Sequence, residues 1–360
     1  MDNVRFNERF ADLVPYDPKY LPAEYMLSAN ESPLNVPDDL RYEIRRALKG
    51  LALNRYPDPL ANRLRDIIAE ANGLERENVL LGNGGDELLF NTALAFGGPG
   101  RKFMNFPPTF SVYAANAYLT NTEVVDVPRG PGFELDEIGA LARVSEGDID
   151  YIIVTSPNNP TGRLADETFI RHLAESTDAI VLVDEAYGEF ARTTCRPLLS
   201  NHKNIVILRT FSKAFACAGV RLGYLLGDAD IIREYIKVRQ PYSVDAISQL
   251  VGCTVYENRQ MFAPTINSII DERDRMIAEL RDIEGIQVYP SDANFILVRI
   301  ADAADVWQKL YDQGILVRDF SHAPYLEDCL RLTVGEPDEN NALLRGLRKV
   351  MRLRRHEAEA

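Results

Sequence analysis

Hydrophobic and polar positions separate a region of alternating strands and helices from the rest of the chain. From about residue 76 to 227, short apolar runs alternate with segments in which apolar residues recur every three or four positions. This alternation is typical of βαβ units, so it predicts a mostly parallel sheet with helices on both faces. The predicted strands are ENVLLG, RKFMNF, EVVDVP, DYIIVT, AIVLVDE, NIVILRT and GYLLG.

Outside this region the pattern is mainly helical. Two amphipathic stretches precede it, and each ends at a glycine, the residue that commonly terminates a helix; they are DDLRYEIRRALKG and LANRLRDIIAEANG. Residues 229–283 are again largely helical, with one long helix expected after Pro264. Beyond them, helices expected at 302–313 and 338–354 interleave with four short strands, which are QVYP, NFILVRI, ILVRD and LRLTVG.

These patterns predict two domains and an N-terminal arm. A large domain with a seven-stranded, mostly parallel sheet is expected over residues 38–255, and a smaller α+β domain over 256–360. Residues 1–37 are rich in Pro, Asn and Tyr and are expected to be extended. Because a segment without secondary structure of its own needs a surface to lie on, we expect the arm to join the small domain.

Composition narrows the classes of function. The 360 residues include 40 Lys and Arg against 54 Asp and Glu, a net charge of −14, which argues against binding to nucleic acid or to an anionic membrane. No apolar run is long enough to span a membrane, and the N-terminus lacks the apolar stretch of a signal peptide. The four cysteines form no CxxC pair, so we expect buried thiols in a cytoplasmic protein, with no metal site.

Four motifs follow predicted strands, where ligands bind in open α/β sheets. The first is GNGGDELL, in which glycines turn the chain and a helix is expected to begin at Asp86–Glu87. Backbone N–H groups at a helix N-terminus can bind an anion such as phosphate, although a plain tight turn remains an alternative. The stretch lacks the GxGxxG pattern, and GxxxxGK[ST] is absent from the sequence, so nicotinamide and ATP motifs are unsupported.

The second and third motifs are SPNNPTG and VDEAY. Asn159 stands beside Pro160 in a turn, so its amide can point at a ligand. Asp184 ends a β-branched strand near the ligand crevice, and Tyr187 can turn toward the same site. For Glu185, a place in a solvated loop is the favoured interpretation.

The fourth motif is TFSKAFACAGVRLGY, with two long cations, Lys213 and Arg221, in a segment that is mostly small and apolar. Arg221 and Ser212 suit phosphate oxygens, and Lys213 suits a Schiff base with a carbonyl. Asp184 can pair with a protonated ring nitrogen. A phosphate, an aldehyde and a pyridine nitrogen together describe pyridoxal 5′-phosphate.

In this order and spacing the motifs resemble the fold-type I pyridoxal-phosphate aminotransferases, the aspartate-aminotransferase superfamily. Within that group the chain is most similar to the histidinol-phosphate aminotransferase subfamily. The likeness extends from VPY at 14 to LRLTVG at 330, and its subfamily marks are LSANESP, NRYPDP, GNGGDEL, ILVRD and LRLTVG. It implies an α/β, aspartate-aminotransferase-like fold with a large seven-stranded sheet domain and a smaller α+β domain.

The resemblance implies three catalytic residues, namely Lys213, Asp184 and Tyr187. The expected cofactor-binding residues are Gly84, Gly85, Asp86, Phe110, Asn159, Asp184, Tyr187, Ser212, Lys213, Arg221 and Tyr56. For Phe110, stacking on the cofactor ring and packing in the core are both open interpretations. In this scheme Asn159 and Tyr187 contact the phenolic oxygen O3′ of the cofactor, and Tyr56 reaches the phosphate in a neighbouring subunit, which implies a homodimer. The implied substrate-binding residues are Tyr16, Asn30, Arg318 and Arg331.

The implied reaction moves an amino group from histidinol phosphate to 2-oxoglutarate, as in histidine biosynthesis. Alternatives are an aromatic-amino-acid aminotransferase, a threonine-phosphate decarboxylase and a non-catalytic cofactor-binding module. Three positions depart from the family pattern: Ser32 stands where Asn is usual, Phe110 where Tyr is frequent, and Gly85 where Ser or Ala is common.

Overall fold

The structure is a computed structural model that describes residues 7–11, 13 and 21–359, the last four without side chains. Up to residue 227, the α-helices and strands in chain order are β1 (Tyr25–Leu27), α1 (Asp38–Leu48), α2 (Asn62–Asn72), β2 (Val79–Asn83), α3 (Gly84–Phe96), β3 (Lys102–Asn105), α4 (Val112–Leu119), β4 (Glu123–Asp126), α5 (Glu137–Val144), β5 (Tyr151–Thr155), α6 (Glu167–Glu175), β6 (Ile180–Asp184), α7 (Gly188–Ala191), β7 (Ile205–Thr210) and β8 (Leu222–Gly227). The remaining elements are α8 (Ala229–Val238), α9 (Ala246–Glu257), α10 (Ala263–Arg281), β9 (Ile286–Val288), β10 (Phe295–Ile300), α11 (Ala303–Tyr311), β11 (Ile315–Asp319), β12 (Cys329–Thr333) and α12 (Pro337–Glu359).

The seven strands β2 to β8 form one sheet, in the order β2–β8–β7–β6–β5–β3–β4. Strand β8 runs antiparallel to both of its neighbours, and the other pairings are parallel. The predicted large, mostly parallel sheet is confirmed. Because parallel strands end at a common edge, β5 and β6 bring Thr155 and Asp184 side by side.

A second sheet has five strands in the order β1–β11–β12–β10–β9. Its strand β1 comes from the segment before α1 and pairs in parallel with β11. Strand β12 pairs antiparallel with both β11 and β10. In this register Arg318 lies directly opposite Arg331, so the topology places two guanidinium groups on neighbouring strands.

Local sequence accounts for several helix ends. Helix α10 has a proline in its first turn, where the missing N–H costs no hydrogen bond. Helix α2 ends at Gly73, whose φ of 66° is the left-handed conformation that glycine adopts readily. Helix α3 was expected to begin at Asp86–Glu87 and begins two residues earlier, at Gly84, so the glycine turn supplies its first backbone N–H groups.

The apolar cores of the two sheets meet beside the predicted site. Two buried clusters cover the faces of the large sheet, and a third fills the space around the small sheet. Tyr187 and Ala214 follow strands of the large sheet, yet they pack within the small-sheet cluster. The segments that carry Tyr187 and Lys213 therefore lie where the two sheets meet.

The four cysteines are buried and unbridged. In the part of the chain that the structure describes, no helix is both long enough and apolar enough to cross a membrane.

Candidate active site

Lys213 and Arg331 are held by adjacent carbonyl groups of one segment. Lys213 Nζ donates to the Ala29 carbonyl over 2.9 Å, and Arg331 Nη2 donates to the Ser28 carbonyl over 2.6 Å. Burial, followed by the charge of Arg331, lowers the pKa of Lys213 to about 8. The chain thus places an amine that loses its proton readily beside an arginine.

Asp184 lies at the end of β6 in a buried pocket of neutral donors. The Tyr113 hydroxyl donates to its Oδ2 over 2.7 Å, and the Ala186 N–H donates to its Oδ1 over 3.0 Å. No lysine or arginine of the described residues forms an ion pair with it. Burial raises the pKa of Asp184 to about 6, because these hydrogen bonds only partly offset the loss of water.

Glu185 is buried, so its expected place in a solvated loop is wrong. Its side chain is 2% exposed, and Arg209 Nε and Nη2 donate to Oε2 over 2.9 and 2.5 Å. The Cys195 N–H and the Thr194 hydroxyl also donate to this carboxylate, over 2.6 and 2.7 Å. The sequence pattern missed this ion pair because Arg209 is on β7, the strand next to β6.

The start of α3 and the segment after β7 form a cradle for an anion. Arg221 Nη2 lies 2.8 Å from Asp86 Oδ2, at the first turn of α3. A Cβ atom on Gly84 would stand 2.6 Å from the same guanidinium, and Gly84 has a φ of +76°. The positive φ favours glycine there, and the missing Cβ leaves room for the arginine beside the helix N-terminus.

Other members of the cradle are small or strained. Ser212 is buried, and its backbone N–H and Oγ lie 3.1 and 2.9 Å from Thr210 Oγ1. Arg221 itself has a φ of 54°, a left-handed conformation that is uncommon outside glycine. Gly223 faces Gly84 and Gly85 so closely that an added Cβ would stand 2.8 Å from their backbone. Gly85 adds its N–H to the first turn of α3.

Asn30 and Tyr187 are joined by a buried hydrogen bond. Asn30 Nδ2 donates to the Tyr187 hydroxyl oxygen over 3.0 Å, and the Tyr187 ring packs edge-on against Phe295 at 5.0 Å. Asn30 also bonds to Thr333, the last residue of β12, and to Asn294, which directly precedes β10. The segment before α1, the end of β6 and the small sheet are thereby connected at one point.

Arg331 connects Asn159 to the aromatic face of the small sheet. Its Nη1 donates to Asn159 Oδ1 over 2.5 Å, which leaves the amide nitrogen as the donor that Asn159 can offer to a ligand. Its guanidinium lies over the rings of Phe295 and Phe320, at 5.3 and 5.6 Å. Arg318 lies over Phe320 from the other strand, at 5.8 Å. Two arginines and an aromatic ring thus share one wall.

Two predicted residues lie at the margin of this arrangement, and the position of a third is not described. Phe110 packs edge-on against Tyr113, at 5.6 Å. Tyr56 is 83% exposed, and its ring stacks at 4.7 Å on the ring of Tyr242, which is not among the predicted site residues. Tyr16 lies outside the described residues. The hydroxyl of Ser32, where the family usually has Asn, donates to the Leu34 carbonyl.

The arrangement suits pyridoxal 5′-phosphate at three points. The glycine cradle beside Arg221 has N–H groups and a cation for the phosphate. Lys213 supplies an amine with a lowered pKa for the aldehyde. Asp184 supplies a buried carboxylate that lacks a cation and can pair with a protonated ring nitrogen.

Two contributors were absent from the sequence prediction. Tyr113 donates to Asp184, and Thr155 Oγ1 lies 2.8 Å from the same Tyr113 hydroxyl. Tyr113 is three residues after Phe110, so helical spacing could have flagged it as sharing a face with a ring-packing position. Thr155 ends β5 just before SPNNPTG, and its position at the strand end was a usable signal.

Comparison with known proteins agrees with the fold. Residues 24–347 match the family of class I and II aminotransferases. The chain is 42% identical to histidinol-phosphate aminotransferase 1 of Carboxydothermus hydrogenoformans over 96% of its own length and 98% of the relative's.

Solved structures of similar shape include two enzymes with different reactions. The histidinol-phosphate aminotransferase of Sinorhizobium meliloti, in complex with pyridoxal-5′-phosphate, has a TM-score of 0.87 at 23% identity and covers 97% of this chain and 98% of its own. The L-threonine-O-3-phosphate decarboxylase of Porphyromonas gingivalis has a TM-score of 0.80 at 26% identity and covers 91% and 99%. With the family match extending over most of its length, the chain belongs to the class I and II aminotransferases.

Proposed function

We propose that this aminotransferase uses pyridoxal 5′-phosphate to transfer an amino group from histidinol phosphate to 2-oxoglutarate. The observation that carries the proposal is the pair of adjacent carbonyls, Ser28 and Ala29, which hold Arg331 and Lys213. A reactive amine and an anion-binding guanidinium are thereby presented to one small ligand. The relative at 42% identity, a histidinol-phosphate aminotransferase, supports this choice of substrate.

When bound, the cofactor supplies an aldehyde for the amino group and a ring that accepts electrons. In the proposal, Asp184 holds a proton on the ring nitrogen by charge pairing. Tyr187 and the amide nitrogen of Asn159 donate to the phenolic oxygen. Arg221, Ser212 and the first N–H groups of α3 bind the phosphate. Each of these groups is fixed by a contact to the protein, so orientation is set before the ligand arrives.

Lys213 is the general base and acid of the proposal. Its Nζ removes the proton from Cα of the amino donor and returns a proton to the carbon that carried the aldehyde. With a pKa of about 8, a useful fraction of the amine is neutral near neutral pH. The positive charge of Arg331 contributes to that lowering, so the anion-binding group also tunes the base.

Arg318 and Arg331 are proposed to bind the anionic end of each substrate. Like charges directly opposite one another on antiparallel strands destabilise the free protein, and an anion between them relieves the repulsion. A guanidinium can form paired hydrogen bonds with phosphate or with carboxylate. The same wall can therefore serve histidinol phosphate in one half-reaction and 2-oxoglutarate in the other.

The proposal includes a homodimer in the cytoplasm. Tyr56 and Leu53 are 83% and 74% exposed, and Tyr42 on α1 is 61% exposed, which is a large apolar area for a surface to leave in water. In the proposal a second copy covers these side chains, and Tyr56 reaches the cofactor phosphate of that neighbouring subunit. Unbridged, buried cysteines suit a reducing compartment.

The test is the absorbance of the cofactor-loaded protein as single amine donors are added without keto acid. Histidinol phosphate should bleach the visible band at the lowest concentration, and Lys213→Ala should remove this response. Bleaching by phenylalanine or tyrosine alone would instead indicate an aromatic aminotransferase. Release of CO2 from phosphothreonine would indicate the decarboxylase reaction of the Porphyromonas gingivalis relative. Sedimentation of the loaded protein tests the dimer.

A further inference from the structure

We infer that Asn30 is a positioning residue that fixes which way the Tyr187 hydroxyl proton points. The inference rests on the proposed function, in which Tyr187 donates to the cofactor. Asn30 is 1% exposed, and both its side chain and its backbone are hydrogen-bonded within the protein. Its side chain acts on the ligand through Tyr187 and is not itself required to touch substrate.

The direction of the bonds follows from counting protons at Thr333. Thr333 Oγ1 accepts the Asn30 N–H over 3.1 Å, and its own proton goes to Asn30 Oδ1 over 3.2 Å. The amide oxygen of Asn30 is therefore the atom that faces Thr333, and Nδ2 is the atom that faces Tyr187. An amide nitrogen is only a donor, so the Tyr187 oxygen accepts this bond and its own proton must be directed elsewhere.

Asparagine satisfies two demands at this position. The backbone has a φ of 54°, a left-handed conformation that asparagine and glycine tolerate better than other residues. The side chain must also offer N–H to Tyr187 and oxygen to Thr333. Aspartate has the same shape but is acceptor-only when ionised, so it would draw the Tyr187 proton toward itself.

The same residue anchors the segment that contacts the two cations. The Asn30 carbonyl accepts from Asn294 Nδ2 over 3.0 Å, directly after the Ser28 and Ala29 carbonyls that bind Arg331 and Lys213. Of the titratable groups, Tyr113 on α4 interacts electrostatically with Tyr187. Asp184 ends β6 three residues before Tyr187, and Lys213 is bonded to the Ala29 carbonyl next to Asn30. Asn30 thus helps to position both the segment that binds Lys213 and the hydroxyl proton of Tyr187.

The experiment follows the visible absorbance of the cofactor-loaded protein against pH, without substrate. A hydrogen bond from Tyr187 favours the ionised form of the cofactor's phenolic oxygen. Loss of this bond therefore raises the pH at which half of the absorbance change has occurred, here called the midpoint. Asn30→Asp should raise the midpoint by about one unit and weaken cofactor binding to the apoprotein about tenfold, which fluorescence titration measures. Asn30→Gly, which keeps the left-handed backbone, should give a smaller rise.

A double-mutant cycle separates the proton direction from the added charge. If Asn30 acts through Tyr187, Asn30→Asp should shift the midpoint far less in a Tyr187→Phe background than in the native protein. Asn294→Asp adds a carboxylate nearby that faces the Asn30 carbonyl, and it should reproduce less than half of the shift. An unmoved midpoint in Asn30→Asp, or an equal shift in both backgrounds, would overturn the inference while the proposed function stands. A native protein that binds no cofactor would overturn both.

Discussion

Two neighbouring carboxylates at the end of β6 are buried to the same degree and have opposite electrostatic surroundings. Asp184 is 4% exposed and is bonded to neutral donors, the Tyr113 hydroxyl and the Ala186 N–H. Glu185 is 2% exposed and is bonded to the guanidinium of Arg209. Successive residues of a strand point to opposite faces, so one step along the chain moves a carboxylate from one environment to the other.

The difference separates a structural charge from a functional one. The charge of Glu185 is fully compensated within the protein, and Arg209 also pairs with Glu189 at 2.8 Å. Asp184 has no such partner among the described residues, and its raised pKa shows the incomplete compensation. A buried carboxylate that the protein leaves without a cation is suited to a cationic group of a ligand.

The largest expected effect comes from removing the functional charge. Asp184→Asn should lower turnover by roughly 10² to 10⁴-fold, because a neutral amide cannot hold a proton on the ring nitrogen by charge. The folded apoprotein should be at least as stable as the native one, since an uncompensated buried charge is lost. Steady-state rates test the loss of turnover, and urea unfolding tests the stability of the apoprotein. Native-like turnover would rule out the role given to Asp184.

Removing the charge of Glu185 should lower the stability of the protein and leave cofactor binding nearly unchanged. Glu185→Gln leaves a buried guanidinium short of a partner and should lower the free energy of unfolding by about 3–5 kcal/mol. Cofactor affinity at low temperature should change little. Glu189→Gln is the matched control and should cost less, since Arg209 keeps Glu185. Urea unfolding of both variants is the measurement, and equal losses would contradict the ranking.

The difference in pH dependence between the cofactor-free native protein and Asp184→Asn should report on Asp184. Its folded pKa of about 6 exceeds its ordinary value of 3.8, so its contribution to stability is present below about pH 4 and is lost as pH rises through 6. The lost contribution is about 3 kcal/mol. The stability difference between the native protein and Asp184→Asn should therefore change over this window, and chemical unfolding from pH 4 to 8 measures it. A difference that stays constant with pH would show that Asp184 titrates normally.

The smallest expected effect comes from the neutral donor. Tyr113→Phe removes one hydrogen bond to the Asp184 carboxylate and should weaken cofactor binding about tenfold, equivalent to about 1.4 kcal/mol. It should also raise the pKa of Asp184 further. Tyr151→Phe, at the opposite end of β5, is the matched control and should leave the cofactor affinity unchanged. Equal affinities for both variants would remove Tyr113 from the site.

The hydrophobic pattern was sufficient for the large sheet and for most helices. Its central strands β5, β6 and β7 are nearly continuous apolar runs that are buried on both faces, a signal that depends only on local sequence. The start of α3 was misplaced by two residues, because glycine is a poor helix former and its place in the first turn depends on the cradle around it.

At the site, the sequence indicated residue types more reliably than partners. Lys213, Asp184, Arg221 and Arg331 were selected by their chemistry and by resemblance, and their assigned roles remain proposals. The pairing of Glu185 with Arg209 and the donation by Tyr113 were not visible, because each joins elements that are distant along the chain.

The sequence by itself determined the family, the order of the elements and the side chains that bear chemistry, since these are encoded in motifs and in short-range periodicity. Only the tertiary structure decided which carboxylate is neutralised, which carbonyls hold Lys213 and Arg331, and which way Asn30 faces. These outcomes depend on strand order and on the packing of the two sheets. The electrostatic state of a buried group is set by neighbours within a few ångströms, and those neighbours come from anywhere in the chain.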